Sequence, residues 1–207
     1  MREPPSPHHS GPLLLKHLPP DRIKTILAGN PRLIVPVGKT EEHRADLPLG
    51  CDTLIVERLA DDVSTALGVL RAPTVEYGVN ATGETICPGT AGVRRKTLHR
   101  FLNDLVGHWE KGGVSQFIIL TTRAFDPHQE ALSTLYTRHA TVRTVDVLAI
   151  SQPETGADWT EIPYEDLDAA LLSYIAPDLS AEPRYAAEQG ERLYRTILDR
   201  IIKGLFP

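Results

Sequence analysis

Residues 31–53 read PRLIVPVGKTEEHRADLPLGCDT. The run Leu33-Ile34-Val35-Pro36-Val37 has the apolar, β-branched content of a buried strand, and Gly38 ends it where the backbone must turn. In an open α/β sheet the carboxyl ends of the strands frame a crevice in which ligands collect. The loop that follows this strand carries Glu41, His43 and Asp52, three groups able to bind a divalent cation, with Glu42 and Asp46 beside them. Carboxylate and imidazole together suit zinc, manganese or iron better than calcium, which prefers all-oxygen sites. The same composition also describes a solvated acidic loop, so the order of the residues has to decide between the two readings.

Outward from this stretch, the chain alternates strand and helix patterns. Towards the N-terminus, Pro4, Pro5, Pro7 and Pro12 predict a flexible Pro-rich arm over residues 1–20, leaving one domain over 21–207. Asp21 is placed to cap a brief helix with Ile23, Ile26 and Leu27 on one face and Gly29 as its stop. Towards the C-terminus, apolar spacing predicts a helix over 54–70 with Asp52 or Thr53 as its cap, then a strand over 72–77 and a long irregular stretch over 78–92. A helix over 94–109, a strand over 117–120 buried on both faces, a helix over 129–139 and a strand over 142–150 follow. A polar loop over 151–163, a short helix over 167–175 and an amphipathic segment over 183–205 complete the chain. Strands alternating with helices imply a parallel sheet with crossover helices, hence a three-layer α/β/α domain with a mostly parallel sheet.

Composition narrows the function. With 41% hydrophobic and 24% charged residues, the 207-residue chain is an ordinary globular sequence with enough material for one buried core. A net charge of −5 and the absence of a long basic stripe argue against nucleic acid as a partner. No apolar run reaches the length of a membrane span, the N-terminus lacks the pattern of a secretory signal, and two cysteines are too few for a disulfide framework. A cytoplasmic protein without a membrane partner is the expectation.

The order Pro36-Val37-Gly38-x-Thr40-Glu41-x-His43, then Leu47-Pro48-Leu49-Gly50-x-Asp52-Thr53, resembles the signature of the creatininase family of amidohydrolases, PxGSxEQHGxHLPLxTDT, a family that includes creatininase-like proteins of mycofactocin systems. Tyr77-Gly78 and Pro88-Gly89-Thr90 resemble its YG and PGT motifs, and Glu182-Pro183-Arg184 with Ala187-Glu188-Gln189-Gly190 resembles its closing segment. The resemblance implies a creatininase-like fold, homo-oligomers or pairing with a paralogue, and hydrolysis of a small amide or lactam at a two-metal site. Glu41, His43 and Asp52 would then be metal ligands, with Asp52 bridging the ions.

Two places depart from that pattern. Where the family carries an NGHxxN string, Arg123 stands opposite the ligand His and Phe125 opposite a further ligand position, and a guanidinium has no lone pair to offer a metal. Where the family carries HAGExETS, Pro163 stands opposite the His, with Asp166 and Asp168 opposite the two glutamates. His128 reads as a surface residue. These departures lead to the expectation of at most one ion, or none if the site is degenerate. Glu42 or Asp168 is then the candidate base, and Arg123, Tyr77, Cys51 and Cys87 line a substrate or anion pocket. The alternative is a non-catalytic relative acting as a binding or assembly subunit, with Arg123 supplying positive charge near Glu41 or Asp52.

Overall fold

The computed structural model describes residues 11–81, 87–122, 126–151, 162–179 and 184–205. Five parallel strands form one sheet: β1 (Leu13–Leu14), β2 (Arg32–Pro36), β3 (Leu70–Arg71), β4 (Gln116–Thr121) and β5 (Thr141–Asp146), in the order β1-β3-β2-β4-β5. Among the described residues six α-helices accompany them: α1 (Pro20–Gly29), α2 (Cys51–Leu67), α3 (Arg95–Lys111), α4 (Asp126–Ser133), α5 (Leu167–Ile175) and α6 (Ala187–Leu205).

Strand periodicity sorts the core into two layers. Ile34, Ile118 and Leu120 pack on one side of the sheet with Ile55 and Leu59 of α2, Leu171 of α5 and Ile197 of α6. Their neighbours Leu33, Val35, Phe117 and Ile119 pack on the other with Leu98 and Leu102 of α3 and Leu132 of α4. Because both faces are covered, β2 and β4 need apolar residues at every position rather than at alternate ones. The three-layer α/β/α arrangement with a parallel sheet is therefore as the sequence implies. The chain leaves β2 for β3 on one side and returns from β3 to β4 on the other, so the carboxyl end of β2 lies at a topological switch point.

Several boundaries differ from the sequence reading. Leu13–Leu14 belongs to the sheet rather than to a flexible arm ending at residue 20. Its pairing with β3 is reinforced by the Leu13 N–H, which donates to Ser64 Oγ at 2.8 Å. Residues 1–10 lie outside the described residues. Helix α1 starts at Pro20, where a missing N–H costs nothing, and Asp21 sits inside its first turn instead of capping it. Helix α2 begins at Cys51 and ends at Leu67, capped by Gly68, whose φ of 60° is left-handed. The third strand is Leu70–Arg71 rather than 72–77, because Pro73 has no N–H to continue a ladder and only Val75 makes an isolated bridge. Helix α4 stops at Ser133, not 139, since the N–H groups of Arg138, His139 and Ala140 turn instead to the Glu110 carboxylate. Strand β5 ends at Asp146, whose side chain accepts the N–H groups of Leu148 and Ala149 and turns the chain.

Candidate metal centre

After β2 the chain passes Val37 and Gly38 and runs beneath the start of α2. A Cβ on Gly38 would lie 2.5 Å from Thr53 Cα, so only glycine permits this approach. The Thr53 hydroxyl donates to the Lys39 carbonyl at 3.2 Å, tying the loop to the helix. Asp52 lies in the first turn of α2, where the helix dipole favours a carboxylate, and it is fully buried. Glu41 and His43 come back towards it, and the three side chains each offer a ligand atom within 4.8 Å of the others.

The details of this cluster fit a cation. Neither oxygen of Asp52 makes a hydrogen bond, nor does Nε2 of His43, which stands 3.4 Å from Asp52 Oδ2. On the far side of the ring, His43 Nδ1 faces Asp168 Oδ2 at 3.5 Å. A carboxylate behind one imidazole nitrogen is the usual way of aiming the other nitrogen at a metal. Two carboxylates and one imidazole are an adequate donor set for one zinc or manganese ion.

Lys39, which the sequence reading passed over, completes the cluster. Its side chain is 2% exposed, and Nζ lies 2.5 Å from Glu41 Oε1 and 3.1 Å from Asp52 Oδ2. Lys39 lies two residues before Glu41 in the same loop, and its contact with Glu41 and Asp52 is set by the tertiary structure. Burial by itself would lower the Lys39 pKa, but the charges of Asp52 and Glu41 outweigh it and raise the pKa, so the side chain is an ammonium. Burial opposes ionisation of Asp52 as well, and the close polar contact with His43 together with the charges of Lys39 and His43 overrides it, holding the carboxyl well below its ordinary range. In His43, burial is likewise outweighed by Asp52 and then Asp168, and the imidazole pKa is raised.

A second histidine supports the wall. His128 is fully buried, contrary to its reading as a surface residue, because α4 turns it back under the site. Burial, then the charge of Lys39, push its pKa down to about 4. The ring is therefore neutral near pH 7: Nδ1 accepts the Val79 N–H at 3.1 Å, which leaves the proton on Nε2, 3.0 Å from Thr121 Oγ1. A Cβ on Gly78 would lie 2.5 Å from Lys39 Cγ and 2.7 Å from His128 Cε1, so this glycine lets the segment over 78–81 close on both. The same segment sends the Ala81 N–H to Glu41 Oε2 at 3.3 Å and Asn80 Nδ2 to the Thr40 carbonyl at 3.0 Å.

A family model for creatinine amidohydrolase matches residues 16–196. The chain belongs to the creatininase family. A 3-dehydro-scyllo-inosose hydrolase of Thermotoga maritima is 32% identical over 88 residues, 42% of this chain and 28% of that protein. A mycofactocin precursor peptide peptidase of Mycolicibacterium smegmatis is 36% identical over 78 residues, 35% of this chain and 31% of that protein. The matched stretches thus span less than a third of the length of these curated relatives. The crystal structure of creatinine amidohydrolase (creatininase) has the same fold, with a TM-score of 0.73 at 17% identity over 95% of this chain and 99% of that one. Among other creatininase structures of this fold, one is described as "Creatininase Mn" and one as "Zn-Zn type".

Of the remaining candidates for the creatininase-like site, Asp168 is brought in behind His43, while Glu42 is exposed and outside the cluster. Asp46 pairs with Arg44, which also pairs with Asp166; Asp166 in turn accepts the Tyr185 hydroxyl at 2.8 Å. Pro163 is exposed. Tyr77 stands half-exposed on the wall of an apolar cavity of about 610 Å³ with Phe101 and Trp109. Cys51 is buried in the apolar core and Cys87 is partly buried, its Sγ 3.7 Å from the Pro88 carbonyl. Arg123 and Phe125 lie outside the described residues. Among the described residues no helix is long and apolar enough to cross a membrane.

Proposed function

We propose that this chain is a metal-dependent hydrolase of carbon–nitrogen bonds in small amides or lactams, working with one divalent ion held by Glu41, His43 and Asp52. The observation that carries the reading is the convergence of these three side chains around a fully buried Asp52 whose oxygens make no hydrogen bonds, with Asp168 behind His43. Manganese or zinc is the ion of choice, in keeping with the creatininase structures that name them. When bound, such an ion supplies Lewis-acid polarisation of a carbonyl and lowers the pKa of water. Asp168 holds His43 in the tautomer that presents Nε2 to the ion. Glu42 is the one carboxylate of the loop not engaged by a cation among the described residues, since Glu41 and Asp52 face Lys39 and Asp46 faces Arg44. As the candidate base it would take the proton from the attacking water and return it to the departing nitrogen as the C–N bond breaks, once the loop brings this exposed side chain in from outside the cluster.

The test uses protein purified without a nickel column, stripped with a chelator and reloaded with zinc or manganese, assayed on creatinine and a panel of simple amides and lactams. Hydrolysis that disappears on chelation, returns with metal and is lost in Glu41→Ala and Asp52→Ala is the expected result. A chain carrying one ion at this site and hydrolysing nothing on the panel removes the activity.

One observation favours a second reading. The Lys39 ammonium already neutralises Glu41 and Asp52 without any ion, as a binding or assembly subunit would require, whether as a homo-oligomer or paired with a paralogue. Absence of metal after loading, together with an assembly that survives chelation, is its signature.

A further inference from the structure

We infer that Lys39 and a divalent metal ion compete for the same two carboxylates, so that metal loading of this site is a displacement of the Lys39 ammonium from Glu41 and Asp52. The inference rests on the metal reading above and deepens it. The ammonium touches two of the three ligand groups, at 2.5 Å from Glu41 Oε1 and 3.1 Å from Asp52 Oδ2. Zinc binds carboxylate oxygens at about 2.0–2.2 Å. An ion on those oxygens therefore claims the space the ammonium holds, and two positive charges at such separation repel strongly where solvent is excluded.

The surroundings make Lys39 a resident of the site rather than a passing contact. Its carbonyl accepts the Thr53 hydroxyl, which fixes the backbone against α2, and its side chain lies beneath Gly78, where any Cβ would collide with it. Only the end of the side chain is free to leave, and a lysine has the rotatable stem to do so. In the metal-free protein the ammonium spares Asp52 from being a lone buried charge. In the loaded protein the ion takes over that task. Because the two occupants exclude one another, a change confined to the Lys39 side chain that weakens its hold strengthens the hold of the metal.

Zinc titration by calorimetry, on chelator-stripped protein, tests this with Lys39→Ala and Lys39→Gln compared with the unaltered chain, folding being checked by circular dichroism. Two variants are used so that a folding defect in one leaves the other informative. Tightening of zinc by about tenfold or more in a folded variant, within the usual range of coupling between sites, and reversal of that gain by adding Asp52→Ala, is the expected result; zinc binding seen only in the Lys39 variants supports the inference equally. Zinc binding that is unchanged or weaker in the Lys39 variants, yet abolished by Asp52→Ala, overturns the competition and leaves the metal site standing. No zinc binding in any of these proteins overturns both the competition and the metal reading.

Discussion

Two cations are fully buried against acids of α2, and they are held in different ways. Arg71 of β3 uses its planar fork: Nη2 donates to Glu57 at 2.8 Å, Nη1 to the Ala72 carbonyl at 3.1 Å, and Nε lies 2.8 Å from Asp61. Its carboxylate partners remain 41% and 31% exposed, so water shares the work of stabilising them. Lys39 faces Glu41 and Asp52, which are 13% and 0% exposed, and the same pocket adds His43 and Asp168. Around Arg71 one fork reaches two carboxylates and a carbonyl, the Nε–Asp61 contact being an ion pair rather than a hydrogen bond. Around Lys39 there are more metal-type donors than one ammonium can satisfy. The first arrangement fastens a helix to a strand, and the second leaves room for a different cation.

That contrast is sharpened most by a pair of substitutions. Arg71→Met is expected to cost about 3 kcal/mol of stability, since removing one partner of a buried pair strands the others. Zinc will not restore it. Lys39→Met is expected to cost at least as much in chelator, about 3 kcal/mol, because it leaves Asp52 as an unpaired buried charge, and zinc will restore most of the loss because the ion binds only the folded state. Urea unfolding of both variants with and without zinc reads this directly. Equal rescue, or rescue of neither, erases the distinction.

A smaller effect is expected at Asp168. Asp168→Asn keeps the shape behind His43 and removes the charge, so zinc affinity should fall by about 10- to 100-fold with little change in the metal-free fold. An unaltered zinc affinity would make Asp168 a packing residue.

The smallest effect concerns a carboxylate that holds N–H groups instead of a cation. Glu110 accepts the N–H groups of Arg138, His139 and Ala140, which bring its pKa down to about 2 from 4.5. Its contribution is thus present above pH 4.5 and is lost as pH falls towards 2. Glu110→Gln should be less stable than the unaltered chain near neutral pH, and the gap should close across that acid window. A gap that does not depend on pH would mean that the bonds, not the charge, do the holding.

Much of this was legible in the chain. The continuous apolar runs of β2 and β4 announced a sheet covered on both faces, and Glu41, His43 and Asp52 could be picked out because they lie close together in the chain, in an order that resembles the creatininase signature. Asp168 was reachable only through the resemblance to the HAGExETS segment, and it lies beside His43. Lys39 and His128 were not legible as site residues. A lysine just after a strand and a histidine in a polar helix are solvated in most proteins, and their burial here depends on Gly78, fifty residues from His128, lacking a side chain. Pro73, Gly68 and Glu110 moved element boundaries for the same reason: each acts through a backbone group whose partner is set by tertiary structure rather than by local pattern.

The central claim, one ion held by Glu41, His43 and Asp52, is tested most directly by the anomalous difference density of a zinc-loaded crystal. The account predicts a single peak within about 2.0–2.2 Å of His43 Nε2 and of carboxylate oxygens of Asp52 and Glu41, with the Lys39 side chain withdrawn from both acids. A peak at other residues, or full-occupancy Lys39 between Glu41 and Asp52 with no zinc beside it, would contradict it.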